Sequence, residues 1–465
     1  MNGRAERNVP ADPKPSQSAR SIQQDLWLIA VIFVLAMVIA GRVWSLCGWL
    51  APIHISSGSM ADSLRGPHNS IKCEACGATI VQGVEHARRD GVVVCPHCGE
   101  IGTSDRLIES AGDRVLVESL SSGKSYKRWD AVAFLDANDE RGVAQVKRIV
   151  GLPGELVAIR DGDLLVDDQI ARKTLDEFRQ MAILVFDDSW SRSVTAGVPT
   201  GSTWEDGSSR REWRRDGDGY SFVGPNPRHA FVSGSDQEHF SGRNDELQWL
   251  EFDMRRRYLA ASEQISTPML DVYGYNQSLS RELQTAHDLL CVTRLRVNDA
   301  DVTVWRLKDG QERFELWSDW RIGRLRLLHN DRLVWTRNVG WLSHPTGGMV
   351  EVALVDRQVI FAVDGVTWLR YPYESTQPRN DVLRPIAIGG LRGRFRVNQI
   401  RVYRDVHYLH AYGVGWPWKA SRPLAEDEYF VLGDNSPASM DSRQLGGRFV
   451  VREQILGRVW RSRLP

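Results

Sequence analysis

The sequence predicts a mainly β protein carried on one N-terminal apolar helix, and three observations lead there. Alternating apolar and polar runs recur through the second half of the chain, at residues 302–305, 324–328, 350–355 and 358–365. Turn residues separate them at short intervals, which is the signature of a β-sandwich. One long apolar stretch exists, the 16 residues 26–41. The pairs Cys73/Cys76 and Cys95/Cys98 form C-x2-C motifs separated by 18 residues.

The chain has 465 residues, with 59 basic and 59 acidic side chains. That length exceeds one ordinary core and implies two to four units. The charge balance argues against a protein that coats nucleic acid, since neutralising phosphates needs a basic excess. With 42% hydrophobic and 25% charged residues the composition is globular. A single apolar stretch excludes a polytopic membrane protein. The unusual count is 17 tryptophans.

At 1.5 Å per residue the 26–41 run is roughly 24 Å long, a little short of a bilayer core. Arg42 can snorkel, and Val43, Trp44, Leu46 and Trp49 extend the apolar character to Leu50. Trp27 and Trp44 stand where an interfacial belt places them. Arg4, Arg7, Lys14 and Arg20 precede the run, and after Arg42 no Lys or Arg occurs until Arg65. The expectation is a single-pass anchor in the cytoplasmic (inner) membrane, N-terminus inside and the rest exoplasmic. A cleaved secretory signal is the alternative, disfavoured by the long charged leader and the lack of a clean A-x-A site.

The spacing of Cys73, Cys76, Cys95 and Cys98 falls in the range of a tetrahedral zinc site. Gly77 and Gly99 follow the two pairs and let backbone N–H groups turn toward thiolate sulfur. The motif resembles rubredoxin-type knuckles, a small zinc ribbon. Four thiolates leave no open position, so the metal's role is structural. Two disulfides are the alternative, given the exoplasmic expectation. Cys47 and Cys291 read as inert lone cysteines.

Three polar segments remain. Ile55-Ser56-Ser57-Gly58-Ser59-Met60 taken alone is a flexible loop. Residues 145–155 read as a strand ending in a Gly-Pro turn, with Lys147 on the face opposite to Val146 and Arg148. Strand lysines are ordinarily solvated edge residues. Residues 433–443, Gly-Asp-Asn-Ser-Pro-Ala-Ser-Met-Asp-Ser-Arg, form a turn rich in local hydrogen bonds.

Together, in this order and behind an N-terminal anchor, the three resemble the signature boxes of type I signal peptidase, a membrane-bound Ser/Lys serine protease. The resemblance covers the anchor and residues 51–69, 110–175 and 412–465. It implies Ser59 as nucleophile and Lys147 as general base. It also implies Ser57 and the Ser59 N–H at the oxyanion, Ser439 supporting the lysine, and Asp441 and Arg443 as a supporting ion pair. Gly112-Asp113-Arg114-Val115 is similar to the family's intervening strand box. A serine hydroxyl needs a base, and lysine is a base only when burial lowers its pKa from about 10.4. One oxyanion donor is typically worth ~3 kcal/mol. The resemblance needs no catalytic cofactor and implies secretory preproteins as substrates, cut after small residues of an A-x-A type. Two departures stand out. Asp62 and Ser63 occupy positions where the family has proline and threonine, and Asp62 is expected to face solvent. Ser436-Pro437-Ala438 replaces Arg-Asp-Asn, where proline should only stiffen the turn.

Lys147 and Ser439 lie 292 residues apart, far more than such a protease needs. The expected division is a tail (1–25), an anchor (26–50), catalytic parts at 51–69, 105–179 and 409–465, a zinc ribbon at 70–104 and a sandwich at 180–408. The stretch from Val350 to Gly365, closed by Phe395 to Arg404, resembles a concanavalin/laminin-G-like jelly roll. Ten tryptophans fall in this insertion: 190, 204, 213, 249, 305, 317, 320, 335, 341 and 368. They form either a sugar-stacking surface, implying glycan contact, or the sandwich core, which is the commoner use of aromatics. Asp364, Asp381 and Glu251 do not suggest a glycosidase dyad. The rival functions are a self-cleaving repressor-like Ser/Lys protease and a membrane-tethered carbohydrate-binding protein with an inactive protease domain.

Overall fold

A computed structural model describes residues 17–46, 50–103, 107–119, 125–136, 142–190, 201–207, 211–225, 247–258, 263–340, 347–411, 413–444 and 449–460. Arg4, Arg7, Lys14, Cys47, Trp49 and Trp341 lie outside the described residues, as do the side chains of Arg20, Trp44 and Leu46. The fold is mainly β, with one N-terminal apolar helix, as the alternation predicts.

The helix runs Gln17–Leu46. Its window Leu26–Val43 has a mean hydropathy of 2.6, and among the described residues it is the single helix long and apolar enough to cross a membrane. Trp27, Phe33 and Met37 stand exposed around it. An all-round apolar surface with no protein packed on it calls for lipid.

A seven-stranded antiparallel sheet follows, ordered Leu50–His54, Arg114–Glu118, Ile455–Trp460, Ala131–Leu135, Ala144–Gly151, Glu428–Leu432 and Val450–Val451. Strands from both ends of the chain thus lie side by side: Ala144–Gly151 pairs with Ala131–Leu135 on one edge and with Glu428–Leu432 on the other. One apolar cluster joins Ile55, Met60, Val115, Val117 and Val146. Another joins Val132, Phe134, Ile149, Tyr429 and Val431. From Val146 to Gly151 every residue is buried, so Lys147 lies inside the sheet rather than on a wet edge. A four-stranded sheet packs alongside, ordered Gln169–Ile170, Asp163–Val166, Val157–Arg160 and Trp418–Lys419.

The cysteine segment forms two small sheets. One is ordered Thr79–Gly83, His68–Lys72 and Ile108–Ser110, and the other pairs Val92–Val94 with Ile101–Thr103.

Two large antiparallel sheets face each other between residues 183 and 404. The first orders Trp213–Asp216, Gly219–Val223, Arg394–Arg404, Leu289–Val297, Gly348–Val355, Gln358–Val363 and Val366–Pro372, with Ile183–Asp187 also paired to Arg394–Arg404. The second orders Thr203–Asp206, Gln248–Asp253, Ile386–Gly390, Val302–Asp309, Glu312–Asp319, Arg324–His329 and Arg332–Asn338. Asp356 and Arg357 turn the Gly348–Val355/Gln358–Val363 hairpin with φ of 48° and 51°, the left-handed pair that suits strand twist. Ile183 stands opposite Arg404, so the chain enters and leaves this sandwich on neighbouring strands. Adjacent ends let a module sit inside another fold without distorting it.

One cluster fills the space between the sheets, drawing Leu289, Val352 and Phe361 from one and Leu316, Leu327 and Ile388 from the other. Trp204, Trp213, Trp305 and Trp320 belong to it, and Trp317 is buried in a smaller cluster beside it. Trp335 and Trp368 pack against the main cluster, and Trp249 stacks under the Arg306 guanidinium at 3.6 Å. The tryptophans serve chiefly as core. The acidic residues are engaged locally: Glu251 with Arg384 at 2.9 Å, Asp381 with Thr285 Oγ1 at 2.7 Å and Asp364 with the Met349 N–H at 2.8 Å.

Candidate active site and cysteine cluster

Ser59 sits in a 3-10 turn, Gly58–Met60, directly after the first sheet strand. Met60 is buried in the apolar cluster beneath that strand, which seats the turn while Ser59 stays half-buried. Ser57 Oγ donates to Ser59 Oγ at 3.3 Å. The turn packs on the Ala144–Gly151 strand and on a second 3-10 turn, Ser436–Ala438. Three segments distant in sequence therefore converge on one place. Gly433 marks how close they are: a side chain there would collide with both Ser439 Oγ and the Ser59 carbonyl.

Lys147 is 4% exposed. Burial pushes its amine down to about 8; Asp441 opposes that, Arg443 adds to it, and Asp434 and Glu85 oppose it. No ion pair to Lys147 occurs among the described residues, so desolvation prevails over attraction. The neighbouring Arg148 behaves oppositely. Its Nε and Nη2 donate to Asp434 Oδ1 and Oδ2 at 2.8 and 2.5 Å, and its Nη1 donates to the Trp129 carbonyl at 2.7 Å. Arg148 thus occupies Asp434 and keeps that carboxylate from pairing with the lysine.

Ser439 is buried, and its Oγ has no hydrogen-bond partner among the described residues. Arg443 donates to Asp441 through Nε and Nη2, both at 2.7 Å, with both side chains fully buried. Asp441 Oδ2 also accepts from the Gly433 N–H at 3.1 Å. The replaced triplet fits this arrangement. Ser436 Oγ accepts from Arg443 Nη1 at 2.8 Å and from the Leu409 N–H at 2.9 Å. Pro437 lies at the start of its 3-10 turn, where a missing N–H costs nothing.

The other departure is equally integrated. Ser63 is buried and donates to Asp434. Asp62 is 22% exposed, lies 4.0 Å from Arg65, and is not among the charges acting most strongly on Lys147. It faces partly outward rather than fully into solvent.

The sequence reading missed several residues that shape this site. Asp113 ties the serine loop down, accepting from Arg65 N at 2.9 Å through Oδ2 and from Ile55 N at 2.9 Å through its carbonyl. Arg148, Asp434 and Asn435 stood inside the quoted motifs without a role. Glu85, Tyr273, Tyr275 and Asn276 carried no local signal at all. A cavity of about 410 Å³ lined by Arg160, Asp163, Asp168, Arg172, Arg357 and Glu374 contains none of these residues.

The four motif cysteines come together in a small buried cluster with Ile71, Ala78, Ile80 and Val93. Cys73 and Cys98 Sγ are 3.7 Å apart, as are Cys76 and Cys95 Sγ, and all four sulfurs lie within 4.8 Å of one another. None is disulfide-bonded. Tetrahedral zinc with Zn–S near 2.3 Å requires sulfurs about 3.8 Å apart, so the donor set fits a metal held by four thiolates. Gly77 and Gly99, at φ 78° and 74°, close each knuckle by donating to the Cys73 and Cys95 carbonyls.

Comparison with known proteins gives one family and several remote folds. The profile of the family described as "Signal peptidase, peptidase S26" matches residues 101–214 and 404–462. No curated protein matches the sequence. Among solved structures, a galectin of Caenorhabditis elegans aligns at 10% identity and TM-score 0.21, over 25% of this chain and 83% of its own. A Bacillus subtilis carbohydrate-binding module aligns at 7% identity and TM-score 0.21, over 44% and 92%. A Trypanosoma rangeli sialidase mutant aligns at 12% identity and TM-score 0.24, over 44% and only 27% of that chain. Scores this low carry no argument about function. The family match takes in Lys147 and residues 439–443 and stops short of Ser59; over those two segments the chain is similar to the S26 signal peptidases.

Proposed function

We propose that this chain is a membrane-anchored serine endopeptidase of the type I signal peptidase kind, cleaving exported preproteins after small residues with Ser59 and Lys147. The observation that carries the reading is a buried lysine without a counter-ion, on a strand packed against the serine turn. Its amine at about 8 leaves a useful neutral fraction at physiological pH, unlike an ordinary lysine.

Ser59 Oγ attacks the scissile carbonyl and passes its proton to the neutral Lys147 amine. Charge developing on the carbonyl oxygen is received by the Ser59 N–H and the Ser57 hydroxyl. On collapse the ammonium returns the proton to the leaving amine, leaving an ester on Ser59. Water then attacks that ester, with Lys147 again taking the proton. Ser439 Oγ, buried and without a hydrogen-bond partner among the described residues, is available to accept from the amine and orient it without adding charge. The Asp441–Arg443 pair fixes the turn that carries Ser439. Substrate adds as an extended strand beside the catalytic sheet. The Gln17–Leu46 helix holds the site near the membrane surface, with the N-terminus cytoplasmic and the protease exoplasmic.

Cys73, Cys76, Cys95 and Cys98 hold a structural zinc, which supplies folding energy to the 70–104 segment and takes no part in the chemistry. Metal analysis of the purified chain should return one zinc per molecule.

The deciding experiment is processing of a purified preprotein by Ser59→Ala and Lys147→Ala, each of which should lose activity. Undiminished cleavage by both variants would sink the enzyme reading and favour a tethered binding protein.

A further inference from the structure

The serine turn is held from outside the catalytic sheet by both inserted segments. The Gly58 N–H donates to Glu85 Oε1 at 2.5 Å. Glu85 belongs to the short 3-10 turn Val84–His86, between the two cysteine pairs. The Gly58 carbonyl accepts from Asn435 Nδ2 at 2.9 Å, and the Ser59 carbonyl accepts from the Asn435 N–H at 3.1 Å. Asn435 is itself locked by Asn276, from the large insertion. Asn276 Nδ2 donates to Asn435 Oδ1 at 2.6 Å, and Asn435 Nδ2 donates to Asn276 Oδ1 at 2.8 Å. The Gly58 carbonyl needs Asn435 Nδ2 on its side, which fixes the orientation of both amides in this reciprocal pair, and both residues are buried.

The residues around Asn276 continue the clamp. The Tyr275 ring lies so close over Gly58 and Gly83 that a Cβ at either would collide with it, and its hydroxyl donates to the Pro67 carbonyl at 3.0 Å. Tyr273 donates to the Asp434 carbonyl at 2.8 Å. Gln277 exchanges two hydrogen bonds with the Val94 backbone, at 2.9 and 3.0 Å, and Ser278 N donates to the His86 carbonyl at 2.9 Å. An appended module needs only adjacent ends, which the Ile183/Arg404 pairing already supplies. It has no need to reach the peptide units on either side of the nucleophile.

We propose that Glu85 and Asn276, one from each insert, are positioning residues that fix the Ser59 turn, so that the protease site is completed by both insertions. This rests on the Ser59/Lys147 reading. The Ser57–Gly58 peptide is gripped at the Gly58 N–H by Glu85, and the Gly58–Ser59 peptide is gripped at the Gly58 carbonyl by Asn435, which Asn276 holds in place. That grip sets the direction of Ser59 Oγ and of its N–H, and small misplacements of a nucleophile cost large factors in rate. Glu85 also adds charge. The charged groups acting most strongly on Lys147 are Asp441, Arg443, Asp434 and Glu85, while Glu85 itself faces His86 at 3.8 Å and the Gly58 N–H. Glu85 stabilises the ammonium and so raises the pH at which the base becomes competent.

The test uses the full-length chain in detergent with a preprotein carrying an A-x-A site. Glu85→Gln keeps an acceptor for Gly58 and removes the charge, so the acid limb of kcat/KM should move down by roughly half a pH unit. Glu85→Ala and Asn276→Ala should each lower kcat about tenfold with KM unchanged. Thermal melting monitors folding, and the Glu85 variants decide alone if Asn276→Ala does not fold. An unmoved acid limb in Glu85→Gln, together with wild-type kcat in Glu85→Ala, overturns the positioning role while leaving an inactive Ser59→Ala to uphold the dyad. Undiminished cleavage by Ser59→Ala overturns the dyad and this proposal with it.

Discussion

Two lysines, 26 residues apart, are both almost wholly removed from water, and the protein treats them in opposite ways. Lys147 is 4% exposed with no ion pair among the described residues, and its amine falls to about 8. Lys173 is 2% exposed, but its Nζ touches Asp356 at 2.7 Å and Asp405 at 2.8 Å. Burial works against its charge too, yet the two carboxylates prevail and hold it well above the ordinary lysine range. It also lies 4.4 Å over the Trp129 ring. Asp356 lies in the turn between Gly348–Val355 and Gln358–Val363 and Asp405 directly follows Arg394–Arg404, so Lys173 ties its own segment to the sandwich. Burial alone therefore does not make a lysine reactive. What matters is whether the fold supplies counter-charge, and the two carboxylates that act most strongly on Lys147, Asp441 and Asp434, are taken by Arg443 and Arg148.

The comparison can be broken most severely by exchanging each lysine for methionine. Lys147→Met should cut processing by about 10³-fold or more, since the proposed dyad would act as a unit. Its effect on stability should have the other sign. A folded pKa near 8 against about 10.5 unfolded means the unfolded chain binds the extra proton between those values. The cost of burying the charge is thus fully present below pH 8 and disappears by about 10.5. Removing it should stabilise the fold at pH 7 by up to on the order of 3 kcal/mol, read by denaturant melts. Lys173→Met should do the reverse, losing ~3–5 kcal/mol because Asp356 and Asp405 are left buried and unpaired. The fraction that remains folded should keep the wild-type pH profile.

A second test sharpens the same contrast through pH. The acid limb of kcat/KM should have its midpoint near 8, set by Lys147. A limb near about 6 would point instead to a histidine and remove the lysine from the mechanism. A last test separates the tryptophans, with the smallest effect expected at the exposed one. Trp305→Ala, 1% exposed between the two sheets, should cost ~3–5 kcal/mol. Trp416→Ala, 69% exposed, should stay within about 0.5 kcal/mol. Tight retention on a glycan array would show that the sandwich does more than these packing roles.

Much of the fold was legible because its signals are local. Alternation in 350–355 and 358–363 marked the hairpin that the structure shows as Gly348–Val355 and Gln358–Val363. The uncharged 26–41 run marked the apolar helix. The cysteine spacing anticipated four sulfurs within 4.8 Å. Strand alternation was a poorer guide at Lys147. It suggested a wet face, whereas the Ala144–Gly151 strand is central and covered on both sides. The roles of Glu85 and Asn276 could not be read at all, since each depends on a partner 27 or 159 residues away.

The amino-acid sequence by itself therefore determined which chemistry is available: a serine turn, a lysine on a strand, four thiols at ligand spacing, and one helix suited to lipid. Residue type and near-neighbour periodicity suffice for that. Only the tertiary structure decided which groups act on one another. It packed the Gly58–Met60 turn against the Ala144–Gly151 strand and the Ser436–Ala438 turn through antiparallel pairing of distant strands, and gave Asp434 to Arg148 rather than to Lys147. It also laid Tyr275 and Asn276 across the serine turn. Desolvation and charge pairing depend on distance in space, and the fold sets those distances.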